Sequence, residues 1–561
     1  MKKKPIQSFD IHSPRKMDRR SFLTRTGSAG LGATGLASTI TQLQMVGEAS
    51  AATTTMDMSK YKSLVCFFLG GGCDMNNVLI PYGNHPDRMN YEDDRQFAAV
   101  SETAIDNAGT VLNVTEVNGT APGGGGNVFG LHPECLNMAS HFNAGRLAFI
   151  ANCGTLAVPI PEDVSLTDYQ NAIKPIQLFS HSDQVNEWFS SIPQNPFVSG
   201  WAGRVADLFR AAPYINAPDE INKDSLSSML MTAAGSTDLL VAPGGAVPQY
   251  ALSRTGPINF AGYGSDYVNG LNGNVYSTGA TGDRLRAFEG IMNYQHDHIL
   301  EQGFQNVVKS ARENEEIIGA AQVEADNIPT GGSTPNETGS YLNDIFLDVY
   351  NTRTNSSISN PTDLPNDMEE LLIICKLIAG RQCIGNTRQI FFFNLGGFDT
   401  HNDINANLPP LLEQVDMCIE AFVQSMDAIA GAQASFDTNM VTMFEASDFN
   451  RTWIPNTSGT DHAWGTHTFC VGGAVEEAFA AGGSNLKVHG KFPELAVAGI
   501  NDVPGNNIRG RWIPQFSTDQ YYARLAKWFG VSSSDMNTIF PNLANGFSDP
   551  LTHPDLDFLP L

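Results

Sequence analysis

Basic residues are scarce in this chain: 33 lysines and arginines stand against 59 aspartates and glutamates, a formal charge of −26. Nucleic-acid binding needs clustered cations facing phosphate, so this balance argues against a nucleic-acid partner. The eight cysteines form no C-x-x-C pair and no zinc-finger spacing, which removes the common thiol redox and zinc-finger readings. Several lie in apolar runs, Cys66 in LVCFFL and Cys375 in LLIICKLI, where they read as small buried hydrophobes. An oxidising compartment would permit a disulfide, but the spacing assigns none. Beyond the N-terminal region no run is long and apolar enough to span a bilayer, so no membrane span is expected. The glycines of NGTAPGGGGNVFG (118–130) lack the spacing, and the Lys-Ser/Thr that should follow, of a phosphate-cradling loop. No fixed-period repeat is present.

What the N-terminus does have is paired arginines in MDRRSFL (Met17 to Leu23), then a weakly apolar Gly/Ala-rich run from Gly27 to about Ile40, then EASAA. This order predicts a twin-arginine signal peptide over residues 1–51, cleaved after Ala51. The twin-arginine export machinery is therefore an expected partner, and the periplasm or the cell exterior the expected destination. That route carries folded proteins, which suits a protein that acquires a metal before export.

Residues 52–561 have the composition of a globular protein and the length of one large domain with insertions. Short apolar runs alternate with helical segments, the pattern of strands buried on both faces. The clearest strands are 63–69, 146–153, 389–395 and 439–446. Helices are predicted over 367–381, after Pro410, and after Ser517, whose hydroxyl can cap the last one. The expected fold is a doubly wound α/β domain with a largely parallel sheet. Residues 215–360, rich in Gly, Asn, Ser and Thr, are expected to form an inserted cap, with a mobile loop at 329–340.

In such sheets ligands bind where strands release the chain at their carboxyl ends. The first strand ends in GGGCDMNN, delivering Asp74. The strand 389–395 ends in GGFDTH, delivering Asp399 and His401. The strand 439–446 ends in ASDFNR, delivering Asp448 and Arg451, and the loop beyond carries Asp461, His462 and His467 in GTDHAWGTH. LFSHSDQ adds Ser180, His181 and Asp183. Carboxylates mixed with imidazoles suit one or two divalent metal ions, Zn²⁺ or Mn²⁺ rather than Ca²⁺. Beside such an ion Ser180 can act as nucleophile, and Arg451 can hold an oxyanion. Each aspartate alone equally fits a turn or helix cap, Asp461 a loop brace, His467 a structural histidine, and Ser180 and His181 a structural role. His132 reads as closing a turn. His296 and His298, two apart on a helix, are a poor metal pair.

The set FLGGGCDMNNVLIPYG, LHPECLNMASHFNAGRLAFIANCGTL, LFSHSDQVNEW, GWAGRVADLF, LGGFDTHND, SDFNRT, GTDHAWGTH and DQYYARLAKWFG resembles the exported bacterial family called domain of unknown function 1501. That family is grouped with the alkaline phosphatase and sulfatase superfamily, whose members hold two divalent metals at the carboxyl edge of a doubly wound sheet. The resemblance implies Asp74 as a metal ligand, Ser180 as the counterpart of the nucleophile, Asp399 and His401 on one metal, and Asp448 on the other. His462 or His467 would complete the set. Two departures stand out: Phe449 follows Asp448 where phosphatases have a histidine, and the Cys/Ser-x-Pro-x-Arg signature of true sulfatases is absent. The expected activity is metal-dependent hydrolysis of a small anionic phosphate or sulfate ester. The alternative is a catalytically silent relative that serves as a binding or assembly module.

Overall fold

Strand β1 (Lys62–Gly70) shows why the apolar runs form a central sheet. Leu64, Cys66 and Phe68 pack into one hydrophobic core, while Val65, Phe67 and Leu69 pack into another. Because successive side chains point to opposite faces, a strand can be apolar throughout only if both faces are covered. The computed structural model describes residues 60–119, 128–196, 199–209, 229–243, 341–505 and 508–561, with parts of 247–328. The chain divides into units 1–55 and 56–561. The expected signal segment, its cleavage point and the loop 329–340 lie outside the described residues.

After β1 come β2 (Leu79–Pro81), β3 (Val111–Leu112), β4 (Glu116–Val117), β5 (Phe129–Leu131), β6 (Leu147–Gly154), β7 (Leu230–Thr232) and β8 (Tyr250–Ala251). The later strands are β9 (Arg388–Gly396), β10 (Val441–Ser447), β11 (Thr466–Val471), β12 (Lys487–Gly490) and β13 (Phe516–Ser517). The large sheet runs β4-β12-β6-β11-β10-β1-β9-β7-β8, with β13 also paired to β6. Within it only β11 runs antiparallel to its neighbours, among the described residues. The architecture is thus mixed α/β around a mostly parallel sheet. A small antiparallel sheet, β2-β5-β3, stands apart.

The four strands read from sequence became β1, β6, β9 and β10. The 215–360 segment, expected as an inserted cap, supplies β7 and β8, which extend the sheet beyond β9. The helix expected after Pro410 begins earlier, spanning Ile404–Ala432 with Pro409 and Pro410 inside. The carbonyls those prolines leave without donors belong to Asn405 and Ala406, both exposed to water, which makes the prolines tolerable there. The last helix, Thr518–Phe529, carries a full capping box: Ser517 accepts from the Gln520 amide, and Gln520 accepts from that of Ser517.

Among the polar residues buried in the central strands one is a carboxylic acid. Glu445 on β10 is fully buried, and neither carboxyl oxygen has a hydrogen-bond partner. Burial pushes its pKa up to about 8, so the folded protein holds a proton that the unfolded chain releases above its ordinary value of 4.5. The native state binds more protons in that interval, so stability is greatest below it, falls as pH rises and levels off above. Glu445→Gln should therefore raise the melting temperature by a margin that grows between about pH 4.5 and pH 8 and is constant beyond. A margin independent of pH would show that the carboxyl is not held neutral.

Candidate metal centre

Parallel pairing places Leu69 of β1 between Leu395 of β9 and Ser447 of β10, so the three strands release the chain along one edge. The exits are packed closely enough to require glycine. Gly71 has φ +114°, and a Cβ there would lie 2.6 Å from the Asp399 amide nitrogen. Gly72 has φ +78°, and a Cβ would lie 2.7 Å from the Phe449 ring. Only glycine combines that conformation with that approach. The Gly71 N–H donates to Asp448 Oδ1 at 2.9 Å, tying the first exit to the third.

Four side chains meet at this edge. His181, Asp399 and His462 each offer one ligand atom, all within 4.8 Å of one another. His401 joins from the side: its Nε2 lies 3.1 Å from Asp399 Oδ1 and 2.9 Å from His462 Nε2. The other nitrogen of each ring is held by an oxygen. His181 Nδ1 lies 2.7 Å from Asp448 Oδ2, His401 Nδ1 3.2 Å from Asp461 Oδ1, and His462 Nδ1 2.8 Å from the Phe179 carbonyl. Carbonyls and ionised carboxylates only accept, which places the proton on Nδ1 and leaves each neutral ring with an Nε2 lone pair facing inward. Imidazole ligands of metal ions are oriented by the same kind of outer contact.

Two such lone pairs 2.9 Å apart, on His401 and His462, repel unless a positive charge, a proton or a metal ion, lies with them. His181 Nε2 is buried without a hydrogen-bond partner, 3.5 Å from Asp399 Oδ1. Imidazole nitrogens with a carboxylate oxygen form a donor set that suits Zn²⁺ or Mn²⁺, so the residues present fit a divalent ion.

Electrostatics keep the carboxylate available. Burial pushes the Asp399 carboxyl up, but the hydrogen bond and charge of Arg451, aided by His401 and His181, hold it below its ordinary value. Arg451 is fully buried and donates to Asp399 Oδ1 at 2.8 Å. Burial lowers the pKa of His462 against the opposing hydrogen bond to the Phe179 carbonyl. The Asp448 hydrogen bond raises that of His181 against the opposing effect of burial. In Asp461, burial is outweighed by Asn456, Arg509 and His401, and the carboxyl is held low.

Other sequence candidates occupy different places. Asp74 is buried in an ion pair with Arg95, itself buried, rather than facing the imidazoles. Asp448 turns both oxygens to neighbours, Gly71 and His181, and so supports a ring from outside. His467 is buried on β11, its ring stacked on Phe492 at 5.1 Å, and burial brings its pKa down to about 3. Arg451 donates through one terminal nitrogen to Asp399, and its Nε and other terminal nitrogen are buried without a partner among the described residues. Ser180 precedes the helix His181–Ser190 and donates through Oγ to Asp183 Oδ2 at 2.6 Å. In the sequence His181 stands open between a structural and a functional role because it follows no strand, and Asp461 reads equally as a loop brace. Phe179 was missed outright. Its φ of +74° is rare for a bulky side chain, and its carbonyl fixes His462.

Residues 354–495 match the family described as "Protein of unknown function (DUF1501)". The match covers less than half of the chain; it includes Asp399, His401, Asp448, Arg451, His462 and His467 and leaves Asp74, Ser180 and His181 outside. No curated protein and no solved structure matches the chain.

Asp74→Asn and Asp399→Asn separate the two kinds of aspartate. The first leaves buried Arg95 without its charged partner, only two backbone carbonyls remaining, and should cost about 3–5 kcal/mol in denaturant unfolding, with the metal content of the folded protein unchanged. The second takes the charged partner from fully buried Arg451 and should also destabilise the fold, but unlike the first it should lower metal content measured by elemental analysis. Loss of metal in Asp74→Asn protein that remains folded would make Asp74 a ligand.

Proposed function

We propose that this protein is an exported, metal-dependent hydrolase of phosphate or sulfate esters, with a divalent ion held by His181, Asp399 and His462 and with His401 at its side. The observation that carries the reading is the inward turn of three imidazole Nε2 atoms on one carboxylate, each outer nitrogen engaged by an oxygen. Zn²⁺ or Mn²⁺ is the ion the donors favour. When bound, such an ion polarises an ester oxygen and neutralises charge that develops on it.

The chain's own groups supply the rest. Ser180 Oγ is the nucleophile, and Asp183, already accepting its hydrogen bond, receives the proton as the hydroxyl attacks phosphorus or sulfur. The ester oxygen leaves as the alcohol, taking up the proton that Asp183 received, and water then cleaves the seryl ester, its hydroxyl going to phosphorus or sulfur and its proton back to Ser180 Oγ. The helix that begins at His181 brings its positive end to the same place, favouring an anionic group. Arg451 keeps Asp399 ionised and oriented. Export rests on the twin-arginine pattern of residues 1–51, and family resemblance supports the alkaline-phosphatase-like form of the fold.

One observation favours a second reading. Phe449, where related phosphatases place a histidine, is buried with its ring 4.6 Å from that of His462 and 4.8 Å from that of His181. It fills the second-ligand position with hydrocarbon, as expected of a silent relative in which the ion only braces the fold.

Elemental analysis of the mature protein, with assays on aryl phosphate, phosphodiester and sulfate esters, tests the two readings. The hydrolase should carry metal and turn over one of these classes. Ser180→Ala should keep the metal and lose at least about a thousandfold in turnover, and His462→Gln should lose both. Metal with no turnover, and a melting temperature that drops on chelation, would favour the bracing role; metal-free inert protein would sink both.

A further inference from the structure

The loop before β13 brings two arginines to the rim of the candidate centre, and they are not equivalent. Arg509 is neutralised: its guanidinium pairs with Asp461 and donates to the Ile454 carbonyl. Arg511 is held only along one edge. Its Nε donates to the backbone carbonyl of His462 at 2.9 Å, and its guanidinium lies 4.6 Å from the centre of the Phe179 ring. Its two terminal nitrogens have no acceptor among the described residues.

Nearby carboxylates are already committed. Asp461 serves Arg509, Asn456 and His401. Asp502 accepts backbone N–H groups of Arg511, Ala498 and Gly510 at 2.9, 3.0 and 3.2 Å. Other half-buried or buried arginines described send at least one terminal nitrogen to a protein oxygen, as Arg88, Arg146, Arg353, Arg388 and Arg524 do. Burial, together with the Arg509 charge, pushes the Arg511 pKa below its ordinary value, as befits a cation short of anions.

The placement gives this unspent charge a purpose. Arg511 is bonded to the same residue, His462, whose side chain faces the centre, and it rests on Phe179, the residue before Ser180. The ring and the Nε bond fix the guanidinium plane, so little rotamer entropy remains to be lost when its outer fork meets a planar or tetrahedral anion. A solvated surface arginine needs neither restraint.

We propose that Arg511 recognises a second negatively charged group on the substrate, a carboxylate or phosphate beyond the ester that is cleaved. The substrate class is then an ester with at least two anionic groups. This inference rests on the hydrolase reading for its physiological meaning, but the binding it predicts can be measured without turnover.

The test is calorimetric titration of the mature, metal-containing protein with phenyl phosphate and with carboxyphenyl phosphate, alongside hydrolysis of the same pair. A charge-assisted hydrogen bond is worth about tenfold or more in affinity, so the carboxylated ligand should bind at least about tenfold tighter. Arg511→Gln should erase that difference while binding phenyl phosphate within about twofold of the parent. If circular dichroism shows that Arg511→Gln does not fold, Arg511→Lys, which keeps the charge and loses the fork, should retain only part of the gain. Equal affinity of the parent protein for the two ligands, no binding of either, or a preference undiminished in the variants would overturn the proposal. Tight, Arg511-dependent binding without hydrolysis would instead overturn the hydrolase reading and leave the anion site standing; hydrolysis indifferent to the carboxylate would do the reverse.

Discussion

Parallel pairing of β1 with β9 on one side and β10 on the other is the constraint from which the candidate centre follows. Parallel neighbours must release the chain at the same edge, so three segments distant in sequence arrive side by side with their first polar residues exposed to one another. Strong burial on both faces fixes the register, because a one-residue slip would move every side chain of β1 to the opposite core. The glycines after β1 then let its exit pass within contact of the Asp399 backbone and the Phe449 ring. Larger residues would push the exits apart and with them the imidazoles.

An acidic protein that gathers carboxylates has to stop them from repelling or protonating, and here arginines, two of them buried, do it locally. Arg451 serves Asp399, Arg95 serves Asp74 and Arg509 serves Asp461. The arrangement sorts the aspartates by role. Asp74 is spent on a buried structural pair, Asp448 and Asp461 orient imidazoles, and Asp399, partly exposed beside its arginine, is left as the candidate ligand. A carboxylate is made a candidate ligand less by its place in a motif than by what has already claimed its oxygens.

The centre also draws on a segment outside the strand-end pattern. The turn at Phe179 holds a conformation that costs energy for a bulky residue, and it does two things at once: its carbonyl fixes His462, and the helix that starts two residues later carries His181 to Asp399 and Asp448. Arg511 presses on the same Phe179 ring while bonding the His462 backbone. The imidazole is thus oriented by the turn, while the loop bonds only the backbone of the same residue.

By itself the sequence was enough to place β1, β6, β9 and β10, to indicate a mostly parallel α/β sheet, and to mark Asp399, His401 and Asp448 at strand ends with His462 in the loop beyond. These are legible because two-sided burial writes itself as unbroken apolar runs, and the exit residues are adjacent to them. Tertiary structure alone decided that His181 enters the cluster, that His467 stacks away from it on Phe492, that Asp74 is taken by Arg95, and that β7 and β8 join the sheet. Periodicity specifies which face of a strand is covered, whereas the partner of a polar side chain depends on distances between segments that no local pattern encodes.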